Sequence, residues 1–155
     1  MIDLKRRAEL REAIELLYFS YREFTAGPDR ILAERGLSRV HHRILYFVGR
    51  SPGIAINVLL ATLGVTKQAL NAPLRQLTEM KLVAARAGAR DRRVRELSLT
   101  ADGARLEARL SGTQMRKLAA VFAEAGAGAE AGWRAAMRAL AKDEAALLTP
   151  PDRPG

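Results

Sequence analysis

The sequence predicts a mainly α protein with one small β-hairpin, an α+β arrangement dominated by helices. Three observations lead there. Ala, Leu and Arg are abundant while aromatics make up only 5%, so strong helix formers prevail. Apolar residues recur at spacings of three and four along most of the chain, the period of a helix with one buried face. Between residues 82 and 99 that period gives way to a short apolar run, a polar turn and an imperfectly alternating stretch, the pattern of two paired strands. At 155 residues, 48% hydrophobic and 28% charged, the chain is long enough for one domain with a real core.

Taken in order, Leu10, Ile14, Leu17, Tyr21 and Phe24 form a stripe on a helix over residues 5–25, with Arg7, Glu9, Arg11, Glu12 and Glu15 on its other face. The stripe is heptad-like and suits a partner helix as well as the chain's own core. Gly27-Pro28 predicts a break, after which Pro28-Asp29 opens a short helix ending at Gly36. Ser38 is expected to cap a third helix to about Arg50, with Val40, Ile44, Leu45 and Val48 as its apolar positions. Ser51-Pro52-Gly53 stops it. Asn57 is expected to cap a helix from Val58 to Leu63, and Thr66 the next, from Lys67 to about Lys81. Only Gly64-Val65 separates them, the tight turn of a helix–turn–helix unit.

Leu82 to Ala85 and Val94 to Leu99 are expected to pair as a hairpin around the polar segment Gly88 to Arg93. Thr100-Ala101-Asp102 then caps a long helix to about Ala125, with Gly112 a weak point. After Gly126-Ala127-Gly128 a last helix runs from about Ala129 to Leu148, with Trp133, Met137, Leu140 and Leu147 on one face. Residues 149–155 are proline-rich and expected to be disordered.

The formal net charge of +9 favours a polyanionic partner, through counterion release from phosphates; an arginine-rich composition without such a partner is the other reading. No cysteine is present, which excludes disulfides, thiolate metal sites and cysteine-based redox switching. The N-terminus is charged before any apolar run, so no signal peptide is expected. No apolar stretch reaches membrane-spanning length, and a cytoplasmic location is the expectation.

A helix–turn–helix followed at once by a basic hairpin is a winged-helix arrangement, placed here over residues 37–103. A helix fits the major groove of B-DNA, and an arginine-bearing hairpin beside it can enter the adjacent minor groove. On the helix after Thr66, Leu70, Leu74 and Leu77 share one face, which leaves Gln68, Asn71, Ala72 and Arg75 opposite, with Lys67 at the N-terminal end. Gln and Asn pair with adenine and Arg with guanine or phosphate. The hairpin tip gathers Arg86, Arg90, Arg92 and Arg93 around the lone acid Asp91, which can hold Arg93 in a fixed rotamer. Pro73 lies inside the helix and crowds the Ala69 carbonyl, so either the helix kinks there or it starts later.

Residues 37–110 resemble the MarR family. Asp91-Arg92-Arg93 matches that family's Asp-x-Arg wing motif, and Leu97-Ser98-Leu99-Thr100-Ala101-Asp102-Gly103 follows as its Leu-x-Leu-Thr-x-x-Gly. Leu63-Gly64-Val65-Thr66-Lys67-Gln68 is similar to its helix–turn–helix. The resemblance implies a dimeric DNA-binding transcriptional regulator, a repressor, joined through residues 1–36 and 104–148 and bound to a pseudo-palindromic operator in double-stranded DNA. Thr66, Lys67, Gln68, Asn71 and Arg75 become DNA-reading or phosphate-contacting residues, and Ser38 and Arg39 backbone contacts. Arg93 becomes the minor-groove arginine anchored by Asp91 and flanked by Arg90 and Arg92. Many members release DNA when a small aromatic effector binds between the dimer helices and the winged region, and Tyr18, Tyr21, His41 and His42 would border such a cavity. For His41-His42 the favoured reading is a partly buried, satisfied pair rather than a ligand site.

Two other classes stand beside this one. An enzyme lacks support, since no phosphate loop, metal-spaced triad or activated nucleophile is visible, and neither a cofactor nor a metal site is expected. A winged-helix module that binds protein without ligand control is the alternative, but it has no need of clustered arginines at its wing.

Overall fold

The computed structural model describes residues 1–151, so the predicted tail lies partly outside the described residues. Six α-helices and three short strands follow in the order α1 (Leu4–Ala33), α2 (Arg39–Arg50), β1 (Ile54–Ala55), α3 (Ile56–Leu63), α4 (Lys67–Glu79), β2 (Val83–Ala87), β3 (Arg95–Leu99), α5 (Ala101–Ala125) and α6 (Ala127–Ala141). A 3₁₀ turn over Lys142–Leu147 follows. The strands form one antiparallel sheet in the order β1-β3-β2.

α1 is a single helix of 30 residues that runs through Pro28, where the sequence predicts a break. The missing proline N–H leaves the Phe24 carbonyl without its helical donor, while side chains bond other carbonyls of the same turn. The Thr25 hydroxyl donates to the Tyr21 carbonyl at 2.8 Å, and the Lys117 ammonium of α5 donates to the Glu23 carbonyl at 2.9 Å. Pro28 itself is buried. Packing against α5 thus keeps helical a turn that an isolated peptide would give up.

α2 begins at Ser38 as predicted, closed by a capping box in which the Ser38 backbone N–H donates to Nδ1 of His41 at 3.0 Å. β1 is a two-residue strand with no periodicity to betray it. Ile54 pairs with Leu97 and Ala55 with Glu96, so the chain passes directly from sheet to helix. α3 consequently starts at Ile56 with Ala55 as its N-cap, not at Asn57. Gly64 closes α3 with φ +64, a left-handed conformation that glycine adopts without penalty.

α4 starts where predicted, with the Thr66 hydroxyl accepting the Ala69 N–H at 3.1 Å. It continues past Pro73; Ala69, whose carbonyl loses its donor, is exposed, so water can replace the bond. α4 ends two residues early. Lys81 takes φ +57 and the Leu82 N–H donates back to the Leu77 carbonyl at 2.9 Å, which turns the chain into β2. The last predicted helix is likewise cut short at Ala141, where Lys142 adopts φ +51 without any glycine or proline to announce it.

The core is made by Leu32, Leu37, Ile44, Leu45, Val48, Leu59, Leu70, Leu77, Leu82, Val83, Leu97, Leu106 and Leu110. Every one lies between residues 32 and 110. The first two-thirds of α1 and all of α6 bury almost nothing within the chain: Ile14 is 67% exposed and Leu140 62%.

The tightest packing is at the start of α5. The Thr100 hydroxyl donates to the Lys81 carbonyl at 2.7 Å and accepts the Gly103 N–H at 3.0 Å. A Cβ on Gly103 would lie 1.9 Å from the Leu82 carbonyl oxygen, a clash with backbone that no rotamer relieves. Gly103→Ala should therefore lower stability by about 3 kcal/mol, the upper range for overpacking. Thermal unfolding checks this; a melting temperature within a degree of the parent would contradict the close approach.

Candidate nucleic-acid interface

α4 presents two faces of opposite character. Leu70 and Leu77 are buried and Leu74 half-buried, while Thr66, Lys67, Gln68, Asn71, Ala72 and Arg75 are exposed. The amphipathic split read from spacing is therefore present, with Pro73 at its margin. α4 is braced against α2 by His41. Because Nδ1 accepts the Ser38 N–H, the neutral ring carries its proton on Nε2, which donates to Oε1 of Gln76 at 2.9 Å.

β2 and β3 form the hairpin, from Val83 opposite Leu99 to Ala87 opposite Arg95. The tip is closed by the Gly88 N–H donating to the Val94 carbonyl at 2.7 Å and the Val94 N–H to the Asp91 carbonyl at 3.1 Å. Gly88 is needed sterically, since a Cβ there would lie 2.7 Å from the Asp91 carbonyl oxygen. Asp91 and Arg93 are paired as the sequence suggests. The Arg93 backbone N–H donates to Oδ1 at 3.0 Å, its Nε to Oδ1 at 3.2 Å and its Nη2 to Oδ2 at 3.3 Å. The Arg93 side-chain bonds, and then its backbone bond, hold the Asp91 carboxyl below the usual carboxylate range. This bracing is in place above the ordinary carboxylate pKa and is lost as pH falls through the lowered one. The Arg93 side chain is nonetheless 92% exposed. Arg90 and Arg92 are exposed beside it, and neither has an ion-pair partner among the described residues.

The helix and the hairpin border one groove of about 270 Å³. Asn71 and Arg75 line it from α4, Arg95 and Leu97 from β3 and Ala85 from β2. Sequence reasoning missed Arg95. Strand alternation could have found it, because counting back two from the buried Leu97 places Arg95 on the same, helix-facing side.

Ser38 and Arg39 are not brought to this groove. The Arg39 guanidinium makes three hydrogen bonds to the Asp29 carboxylate, the shortest 2.9 Å, and stands 5.4 Å from the Tyr21 ring centre. It lines a second cavity of about 340 Å³ between α1, α2 and α5. Tyr21 and His42 also line that cavity, together with Phe24, Arg43, Tyr46 and Phe47, which the sequence reading did not single out. Tyr18 and His41 do not. Tyr18 is exposed against Phe19, and His41 serves the α2–α4 brace. Arg43 donates to the Tyr21 hydroxyl at 2.8 Å. His42 Nε2 lies 3.3 Å from the Ser111 hydroxyl, which itself donates to Glu107 and so accepts from the histidine. Burial pushes the His42 pKa down, against the pull of Asp29 and with that of Arg43.

No cluster of potential metal ligands occurs among the described residues, and no described helix is long and apolar enough to cross a membrane.

Known proteins resemble this chain over the same parts. Residues 35–94 match the model of the MarR family. The HTH-type transcriptional regulator PetP of Rhodobacter capsulatus is 46% identical over 132 residues, covering 85% of this chain and 80% of its own. A crystal structure of a MarR family transcription regulator superposes with a TM-score of 0.74 at 23% identity, covering 92% of this chain and 95% of the other. The Staphylococcus aureus MepR–DNA complex superposes with a TM-score of 0.66 at 17% identity, covering 81% and 93%. These two share the winged-helix fold. Identity to PetP of this extent, over a stretch that contains both the helix–turn–helix and the wing, means that the chain belongs to the MarR family of transcriptional regulators.

Proposed function

We propose that the chain is a homodimeric repressor that reads a pseudo-palindromic operator, with α4 in the major groove and the β2–β3 wing in the adjacent minor groove. One observation carries this reading: Asn71 and Arg75 of α4 and Arg95 of the hairpin line the same groove, so a single duplex can touch both elements. Gln68 and Asn71 read base edges, Thr66, Lys67 and Arg75 contact bases or backbone, and Ser38 supports the backbone from the start of α2. Arg93 enters the minor groove in the orientation set by Asp91, with Arg90 and Arg92 on the flanking phosphates.

Arg93→Ala is expected to weaken binding to every sequence and to lower the slope of log affinity against log salt by about one per wing engaged. Asn71→Ala or Gln68→Ala is expected to change the preference at one base pair by roughly 1–3 kcal/mol. Fluorescence anisotropy over a salt series, on a site selected from a random duplex library, reads both. An unchanged slope for Arg93→Ala, or a uniform loss for Asn71→Ala and Gln68→Ala, counts against the assignment. A parent indifferent to DNA at low salt would favour the protein-binding alternative. A reporter downstream of the selected site should fall when the chain is supplied; a rise would make it an activator.

The dimer is supported by what the chain leaves uncovered. Ile14, Leu17 and Tyr21 on α1 and Leu140 on α6 are exposed, and apolar stripes of that extent on soluble helices mark an interface. Residues 1–36 and 104–148 form it in this reading. Ile14→Glu with Leu17→Glu should reduce the mass in light scattering from two chains to one; a mass still equal to two chains would place the interface elsewhere.

The cavity supports a small aromatic effector. Its volume of about 340 Å³ lies in the usual range for small-ligand sites, and its aromatic walls with Arg43 suit an aromatic carboxylate, while Arg39 is already neutralised by Asp29. Benzoate is expected to bind by calorimetry and to release DNA, and Arg43→Ala to abolish both effects. Binding undiminished by Arg43→Ala would remove the cavity from consideration.

A further inference from the structure

Arg75 and Arg95 face one groove from different elements, and neither has an ion-pair or hydrogen-bond partner among the described residues. Both are exposed. Glu79 lies in the same groove, one turn beyond Arg75 on α4, yet it forms no ion pair with either. Two uncompensated guanidiniums on facing walls repel each other, and an anion seated between them offsets that repulsion. Guanidinium is also the side-chain cation best matched to a phosphate, through its planar fork of donors.

Duplex geometry says which anion passes there. Adjacent major and minor grooves of B-DNA are separated by one sugar–phosphate strand. A duplex seated with α4 in the major groove and the β2–β3 tip in the neighbouring minor groove must lay that strand between helix and hairpin. The groove lined by Asn71, Arg75, Ala85 and Arg95 is the surface that lies there. Cross-strand register sets Arg95 opposite Ala87, which leaves room on this face for the arginine to reach across.

We infer that Arg75 and Arg95 form a phosphate clamp that grips the DNA strand separating the two grooves, and that Arg95 fixes the register of the duplex without reading its sequence. This rests on the placement of α4 and the wing proposed above. Arg75 thereby becomes a positioning contact and leaves base reading to Gln68 and Asn71.

The test compares Arg95→Ala, Arg75→Ala and Arg95→Lys with the parent, using the same duplexes and salt series. Arg109→Gln, on α5 and paired with Glu34, serves as a control for the loss of one charge away from the groove, once light scattering has shown that its mass equals the parent's, since it lies in the region proposed for the dimer. Arg95→Ala and Arg75→Ala are each expected to lower affinity about ten-fold at low salt and to reduce the salt slope by about one per half-site, with the preferred sequence unchanged. Arg95→Lys should keep the slope, and so should Arg109→Gln. Circular dichroism and thermal melting confirm that each variant is folded, and Arg95→Lys reports on the charge even if Arg95→Ala is not. The clamp is overturned if Arg95→Ala keeps the parent slope while Arg93→Ala loses it, if Arg95→Ala alters the preferred base, or if Arg109→Gln lowers the slope equally. Failure of the parent to bind DNA with any salt dependence would instead reject the placement of α4 and the wing.

Discussion

The Thr100 hydroxyl, the Lys81 and Leu82 carbonyls and the bare Cα of Gly103 meet at one point, and the direction of every surface that faces the groove follows from that meeting. The end of α4, the base of the hairpin and the first turn of α5 are pinned there within a few ångströms. Thr100 satisfies the Lys81 carbonyl in the turn that follows α4 and an orphan N–H of α5 with a single oxygen. Because Gly103 carries no Cβ, the two backbones approach as closely as hard-sphere contact allows. Together with the core contacts of Leu70 and Leu77 with Leu82, Val83 and Leu97, that approach fixes the angle between α4 and the hairpin.

Charge is arranged on this frame in an uneven way. Asp91 neutralises only Arg93, and in doing so orders it, while Arg75, Arg90, Arg92 and Arg95 are left without partners among the described residues. Ordering one arginine at the hairpin tip reduces the conformational entropy that binding would otherwise remove. Leaving the others unpaired keeps their attraction for a polyanion. The balance suits long-range steering with one preset contact, which is how a basic surface associates fast and still finds a register.

The two ends of the chain obey a different constraint. Residues 32–110 close a core around the winged region, and the long helices outside it keep their apolar stripes uncovered. A helix such as the first half of α1 gains little from propensity alone. In the reading proposed above, a second chain covers its apolar face. The cavity sits where these long helices meet α2, so anything that fills it touches both the uncovered helices and the element that braces α4 through His41 and Gln76.

Much of this was legible in the sequence. Helical period, the Ser38, Thr66 and Thr100 caps, the turn at Gly64 and the Asp91–Arg93 pair are local features, set by residues within a few positions of each other, so spacing reveals them. The features that escaped are those decided by distant partners. Pro28 breaks a helix in isolation and does not do so against α5. β1 exists only because Leu97 and Glu96 offer it an edge. The pairing of Arg39 with Asp29, ten residues away on another helix, leaves no mark in the spacing either. Arg95 looks like one more basic residue until α4 lies across from it. The sequence alone determined the run from the helix–turn–helix through the hairpin to the last two helices, the polar face of α4 and the charge of the wing, because periodicity and capping are short-range. Only the tertiary structure decided which arginines are paired and which share a groove, because those facts depend on the distance between segments that the chain itself keeps apart.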